Sequence, residues 1–205
     1  MAKQLHLISD GKLSLAAFAD IAGRVVSFVD FIHLREKEVS SLELYHGVQL
    51  LLNKGVPSQK IIINDRVDVA SVFGTGIQLA FHSLPTFIVK KYYPDILVGR
   101  SIHSVEEAIE AEKQGADLVI YGHVYMTSSK KDLPPKGITN IAIIKKKTDI
   151  PLIAIGGITP DNVSEVLNMG ADGIAVMSGI LHAENPFQAA ECYAKKLIQG
   201  GKAYE

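Results

Sequence analysis

Tryptophan is absent, cysteine occurs once, and neither sign of charge dominates: 21 lysines and arginines stand against 22 aspartates and glutamates, for a formal net charge of -1. The single cysteine, Cys192, cannot close an intramolecular disulfide, and its setting in AAECYAKKL places it on the expected core side of a helix rather than at a reactive centre. Balanced charge removes the cationic field that nucleic-acid binding requires. No apolar run approaches the roughly 18 residues of a membrane span, and the opening MAKQLHLIS lacks the apolar core of a secretion signal. A cytoplasmic protein with neither nucleic-acid nor membrane partners is therefore expected. HExxH, paired cysteines and an EF-hand loop are missing too, which argues against a dedicated zinc or calcium site.

What is present is an alternation. The 205 residues, 47% of them hydrophobic and without a linker-like segment, suit one domain with one substantial core. Short apolar runs at 4–9, 28–34, 60–63, 76–80, 95–99 and 117–121 read as strands, with helical stripes between them. Residues 100–103 read as a turn after the fifth strand. Ser40 with Glu43, and Ser104 with Glu107, have the spacing of helix capping boxes, and Gly55 and Gly115 stand where helices end. Gly115-Ala116-Asp117 recurs as Gly170-Ala171-Asp172, each at a helix-to-strand junction. Residues 150–180 repeat the unit once more: a run without polar alternation, a Gly156-Gly157 turn, a helix, a strand, and a second turn at Ser178-Gly179. Buried parallel strands joined by helices, about eight in all, predict an α/β fold, a single (β/α)8 TIM barrel covering residues 1–205. A doubly wound open sheet is the alternative, but no GxGxxG follows the first strand.

Strand ends of such a barrel converge on one rim, which here gathers Arg35, Lys37, Asn64, Asp65, Gln78, His103, His123, Thr127 and Lys130. The two glycine turns can offer backbone N–H groups to one anion, most simply a phosphate. His123 follows a buried strand, beside a glycine and under the long polar segment 127–137, where an imidazole with an ordinary pKa near ~6.5 can serve as a general base. A lone histidine is more often structural, and the triplet 35–37 taken alone reads better as a solvated cluster before a helix. Asp65 is the one carboxylate placed for a magnesium–diphosphate complex; Ser83 stands where a second is expected.

HLREK (33–37), INDRVDVA (63–70), VGRSIHSVEEA (98–108), GADLVIYGHVYMTSSKKD (115–132), IPLIAIGGITPDNV (150–163) and GADGIAVMSGI (170–180), in this order and spacing, resemble the thiamin phosphate synthase superfamily over almost the whole chain. The resemblance implies a barrel that handles a thiazole ethyl phosphate, its phosphate held by Gly156, Gly157, Met177 and Ser178 with Thr127 and Ser129. Synthases of that superfamily carry Gly-Gln-Glu-Asp after strand four and Gly-Pro after strand six. This chain reads Ala80-Phe81-His82-Ser83 and Gly122-His123, which, with Gln78, is similar to the TenI-type thiazole tautomerase branch. That branch implies an isomerase aromatising a carboxythiazole phosphate. His123 would then be the acid/base, Arg35 would hold the substrate carboxylate, and Lys37, Asn64, Gln78, Ser101 and Lys130 would line the pocket, with no metal or cofactor required. Two alternatives stand beside it: a Mg2+-dependent thiamin phosphate synthase, for which Asn64, Asp65 and Lys130 speak, and a non-catalytic regulatory barrel that binds a thiazole phosphate. The expected partner is a small-molecule thiazole phosphate; a homo-oligomer is left open.

Overall fold

A computed structural model describes residues 2–127 and 132–200. Its order is β1 (Gln4–Ile8), α1 (Leu15–Val25), β2 (Phe31–Leu34), α2 (Ser41–Asn53), β3 (Ile61–Asn64), α3 (Val67–Phe73), β4 (Gly76–Leu79), α4 (Thr86–Tyr92) and β5 (Val98–Ile102). It continues with α5 (Val105–Lys113), β6 (Leu118–Gly122), α6 (Thr139–Lys147), β7 (Leu152–Ile155), α7 (Val163–Asn168), β8 (Gly173–Val176), α8 (Ser178–Leu181) and α9 (Pro186–Gly200). The strands follow one another around a closed barrel, and β8 pairs in parallel with β1, so the fold is a single (β/α)8 barrel. Among the described residues no helix is long and apolar enough to cross a membrane.

Alternate residues of each strand face opposite ways, and the two hydrophobic clusters follow that period. Leu5, Leu7, Ile32, Leu34, Ile61 and Ile63 face outward and join the helices' buried faces in the main core. The lumen holds a second cluster, Ile8, Leu118, Ile120, Ile153 and Ala175. On the β1–β4 side, buried polar side chains, His6, His33 and Gln78, stand among the inward residues beside Ile8 and Ile62. The lumen is thus more polar along β1 to β4 than along β6 to β8.

The repeated Gly-Ala-Asp has a physical reason. Asp117 accepts from the Val98 N–H at the start of β5 (2.6 Å) and pairs with Lys90 (2.6 Å); Asp172 accepts from the Leu152 N–H at the start of β7 (2.9 Å) and pairs with Lys145 (2.9 Å). Each carboxylate satisfies the first N–H of the preceding strand, a group the parallel ladder leaves open there.

Three expectations are corrected. The fifth strand runs from Val98, not 95, because Gly99 to Ile102 pair with Leu118 to Tyr121; Arg100 and Ser101 lie in the ladder rather than in a turn. Ser101 points into the lumen, where it meets Gln78, while Arg100 shares the outward parity of Val98 and Ile102 and lies beside α5, so polarity did not mark the strand's end. The Ser40–Glu43 box is complete, but at α5 the Glu107 carboxylate accepts from the His103 N–H and leaves a one-sided cap, in which Ser104 accepts from Glu107. Cys192 is exposed, since Ala190, Tyr193 and Leu197 occupy the buried face of α9.

Candidate functional site

The carboxyl end of the barrel carries two groups of residues. The first lies at β7 and β8, where a cavity of about 300 Å³ is lined by Thr127, Gly156, Gly157, Met177, Ser178 and Gly179, among others. The residues expected to hold a phosphate are therefore brought together, apart from Ser129, which with Lys130 lies outside the described residues. Gly156 and Gly157 have φ of 103° and 67°, and a Cβ on either would collide with the segment leaving β6: on Gly156 with His123, on Gly157 with the Met126 carbonyl and the Tyr125 side chain. Glycine is required because that segment runs on beside β7, the Val124 N–H donating to the Ile155 carbonyl (2.9 Å) and the Tyr125 N–H to that of Gly156 (3.0 Å). Asn162 ties the turn from the other side, donating to the Gly157 carbonyl (3.1 Å) and accepting from the Thr159 N–H (2.8 Å). Tyr193 of α9 adds a hydrogen bond to the Ile158 carbonyl (3.0 Å).

His123 sits behind this cavity. It is 4% exposed and its Nε2 lies 3.2 Å from the Leu133 carbonyl, an acceptor, which puts the proton of the neutral ring on Nε2, and its buried Nδ1 has no hydrogen-bond partner among the described residues. The same stretch holds residues 133–137 through three more bonds: the Lys136 N–H to the His123 carbonyl (2.8 Å), the Gly137 N–H to the Val124 carbonyl (3.2 Å), and the Tyr121 hydroxyl to the Lys136 carbonyl (3.2 Å). His123 is thus one point of a latch that fastens residues 133–137 to the end of β6.

The second group lies across the mouth. Arg35 is half-buried, its N–H donating to Ser9 Oγ (2.8 Å), and its guanidinium makes no hydrogen bond or salt bridge among the described residues. Lys37 is exposed nearby in sequence, and Asn64 is half-buried at the end of β3. Gln78 donates to Ser101 Oγ (3.0 Å) inside the lumen, while its other amide atom, Oε1, is buried and has no hydrogen-bond partner among the described residues. Asp65, in the left-handed region at φ 62°, faces His82, with Oδ2 and Nε2 3.2 Å apart. Ser83 turns away: its hydroxyl accepts from the Ala80 N–H (2.7 Å). His103 instead leans on Glu107 at the start of α5 (3.5 Å).

Three histidines that the sequence does not mark out, His6, His33 and His82, also have defined neighbours. His6 Nδ1 and His33 Nε2 are 2.8 Å apart inside the lumen, with Gln4 accepting from His6 Nε2 (3.1 Å); both rings are fully buried. Because Gln4 takes the Nε2 proton of His6, Nδ1 of His6 accepts from His33 Nε2, and His33 Nδ1 is left bare. Burial depresses both basicities, His33 to a pKa of about 3, and neighbouring His33 adds to the effect on His6. The available signal was positional: both histidines share the inward parity of strands whose outward residues are all apolar.

Comparison with known proteins bears on what the site does. A family model described as thiamine monophosphate synthase matches residues 5–180. The chain is 36% identical to a thiamine-phosphate synthase of Clostridium acetobutylicum over 187 residues, 88% of each chain. It is 35% identical to one of Pyrococcus horikoshii over 190 residues, 92% of this chain and 91% of that one. A solved structure, thiamine phosphate pyrophosphorylase from Pyrococcus furiosus, superposes with a TM-score of 0.81 at 31% identity, covering 96% of both chains. A 3-hexulose-6-phosphate synthase, 19% identical with a TM-score of 0.73, shares the fold. These relatives overturn the expected placement in the tautomerase branch, and with it the isomerase activity: they bear the name of a synthase. The departures at Ala80-Phe81-His82-Ser83, Gly122-His123 and Gln78 that pointed to that branch occur in a chain that matches the synthases over 88% to 92% of its length. The chain belongs to the thiamine monophosphate synthase family.

Proposed function

We propose that this protein is a thiamine-phosphate synthase, a transferase that joins a pyrimidine methyl diphosphate to a thiazole phosphate and releases inorganic diphosphate. The observation that carries this reading is the division of the barrel mouth. The glycine-turn cavity at β7–β8 stands apart from a second set, Arg35, Lys37, Asn64 and Asp65, at the ends of β2 and β3, and this second set joins cations to a carboxylate suited to a metal-bound diphosphate, as the synthases to which the chain is similar would need. In the reaction a C–N bond forms to the thiazole ring nitrogen while the C–O bond to the diphosphate breaks, and the electron pair leaves with the diphosphate. The chain's part is to hold two reactants in line and to meet the leaving charge. Arg35, whose guanidinium makes no hydrogen bond or salt bridge among the described residues, is suited to bind diphosphate oxygens in paired contacts, and the buried polar side chains of β1 to β4 take the pyrimidine.

Such reactions call for a divalent cation, and the donor set at β3 fits one shared with a diphosphate. Asp65 supplies one exposed carboxylate, and hard divalent ions are commonly held by one or two carboxylates with substrate phosphates completing the shell. When bound, the ion would neutralise charge gathering on the leaving group. The test is to incubate the protein with both substrates and Mg2+, Mn2+ or Co2+, and follow diphosphate release and the joined product by chromatography. Product that requires both substrates supports the reading; none with any of the three ions would overturn it.

A further inference from the structure

Asp65 and His82 are brought together by two turns that each leave little freedom. Asp65 donates its N–H to the Gln78 carbonyl (3.0 Å), which ties the end of β3 to β4. The turn from Ala80 to Ser83 is closed by the Ser83 N–H on the Ala80 carbonyl (3.1 Å) and the Ala80 N–H on Ser83 Oγ (2.7 Å). Ser83 is consumed in holding the turn, and the residue presented towards Asp65 is His82, its ring steadied edge-on by Phe81 with centroids 4.9 Å apart. The 3.2 Å between His82 Nε2 and Asp65 Oδ2 has a second meaning. Two ligands at right angles, each about 2.1 Å from an ion, stand about 3.0 Å apart. An ion can therefore sit between this pair with almost no movement of either side chain. Both side chains remain accessible, at 54% and 39% exposure, so the ion's other positions stay open to water and to ligand oxygens.

We propose that Asp65 and His82 form a mixed oxygen–nitrogen half-site for a divalent ion, and that the imidazole turns its preference from Mg2+ towards borderline ions such as Co2+, Fe2+ or Zn2+. Carboxylate and phosphate oxygens suit Mg2+; an imidazole nitrogen gains far more from a transition ion than from Mg2+. Nitrogen at one position of the shell thus separates the two classes while leaving the diphosphate oxygens free to complete either. The proposal rests on the transferase reading for its diphosphate, but its test does not need turnover. Titration calorimetry with Co2+ and with Mg2+, each in the presence of inorganic pyrophosphate, is compared for the wild type, His82→Ala and Asp65→Asn, with circular dichroism to establish that each variant is folded. The wild type is expected to bind Co2+ at least about tenfold more tightly than Mg2+, His82→Ala to lose most of that preference with Mg2+ affinity within about twofold, and Asp65→Asn to lose both ions. Paramagnetic shifts of the His82 ring protons on adding Co2+ are the direct signature. An unchanged Co2+ preference in His82→Ala, or His82 ring protons unmoved by bound Co2+, would overturn the site. Shifted His82 protons in a protein that joins no substrates would sustain the site while removing the transferase reading; synthesis with an unchanged preference in His82→Ala would do the reverse.

Discussion

At the scale of single residues, the buried histidine pair makes a claim about pH. His6 and His33 are neutral in the folded lumen, whereas an unfolded histidine titrates near 6.5. Their folded pKa values lie below the unfolded one, so above 6.5 neither state takes up a proton and stability is indifferent to pH. Below 6.5 the unfolded chain binds protons that the folded chain refuses, and stability falls with pH, for His33 until about 3. The slope approaches about 1.4 kcal/mol per pH unit for each ring. Urea midpoints measured by circular dichroism between pH 7 and pH 4 are expected to fall steeply in the wild type and less steeply in His33→Gln. Equal slopes in the two proteins would mean that His33 is protonated in the folded state.

His123 supplies a second residue-scale expectation. Its Nε2 proton is engaged by the Leu133 carbonyl, so its removal loosens the latch on residues 133–137. In His123→Ala the amide protons of Lys136 and Gly137 are expected to exchange faster, and KM for the thiazole phosphate to rise by about tenfold with little change in kcat. Loss of uniform binding gives that pattern. A hundredfold fall in kcat at unchanged KM would instead mark proton transfer by this ring.

At the scale of elements, the turn after β7 depends on what crosses beneath it. Gly157→Ala places a methyl group against the Met126 carbonyl at φ 67°, so it combines a backbone penalty with a collision. A loss of about 1–3 kcal/mol is expected from chemical denaturation, together with weaker thiazole phosphate binding. Element type was legible from the sequence wherever outward and inward residues were both apolar, as in β3 and β7. It blurred at β5, where the inward Ser101 meets Gln78 in the lumen and looks like a turn when read alone. The glycine pair was read as close backbone approach to a phosphate. What it tightly approaches is the chain's own segment 123–126, a partner some thirty residues away that no local pattern discloses. Arg35, Asn64 and His123 stand at or just past the carboxyl ends of β2, β3 and β6, whereas Gln78 lies within β4, and whether Ser83 or His82 faced Asp65 depended on a single hydrogen bond, Ala80 N–H to Ser83 Oγ.

At the scale of the whole molecule, the transferase reading assigns the two substrates to separate halves of one barrel. β1 to β4 bring His6, His33, Asn64 and Gln78 to the polar side, and β7 and β8 bring the glycine-turn cavity. If the halves act separately, ligand stabilisation adds. A ligand at about a hundred times its Kd contributes about 2.7 kcal/mol, which for a chain of this size is a rise in Tm of about 5–10 °C. Thiazole phosphate and inorganic pyrophosphate with a divalent ion are each expected to raise Tm, and together to raise it by the sum of their free energies. Asp65→Asn is expected to erase the pyrophosphate increment and spare that of the thiazole phosphate, and Gly157→Ala to do the opposite. The contrast matters more than either loss, because a variant that merely loosened the barrel would diminish both increments. If either substitution removes both, the anions share a single site, and the division of the mouth on which the transferase reading stands is wrong.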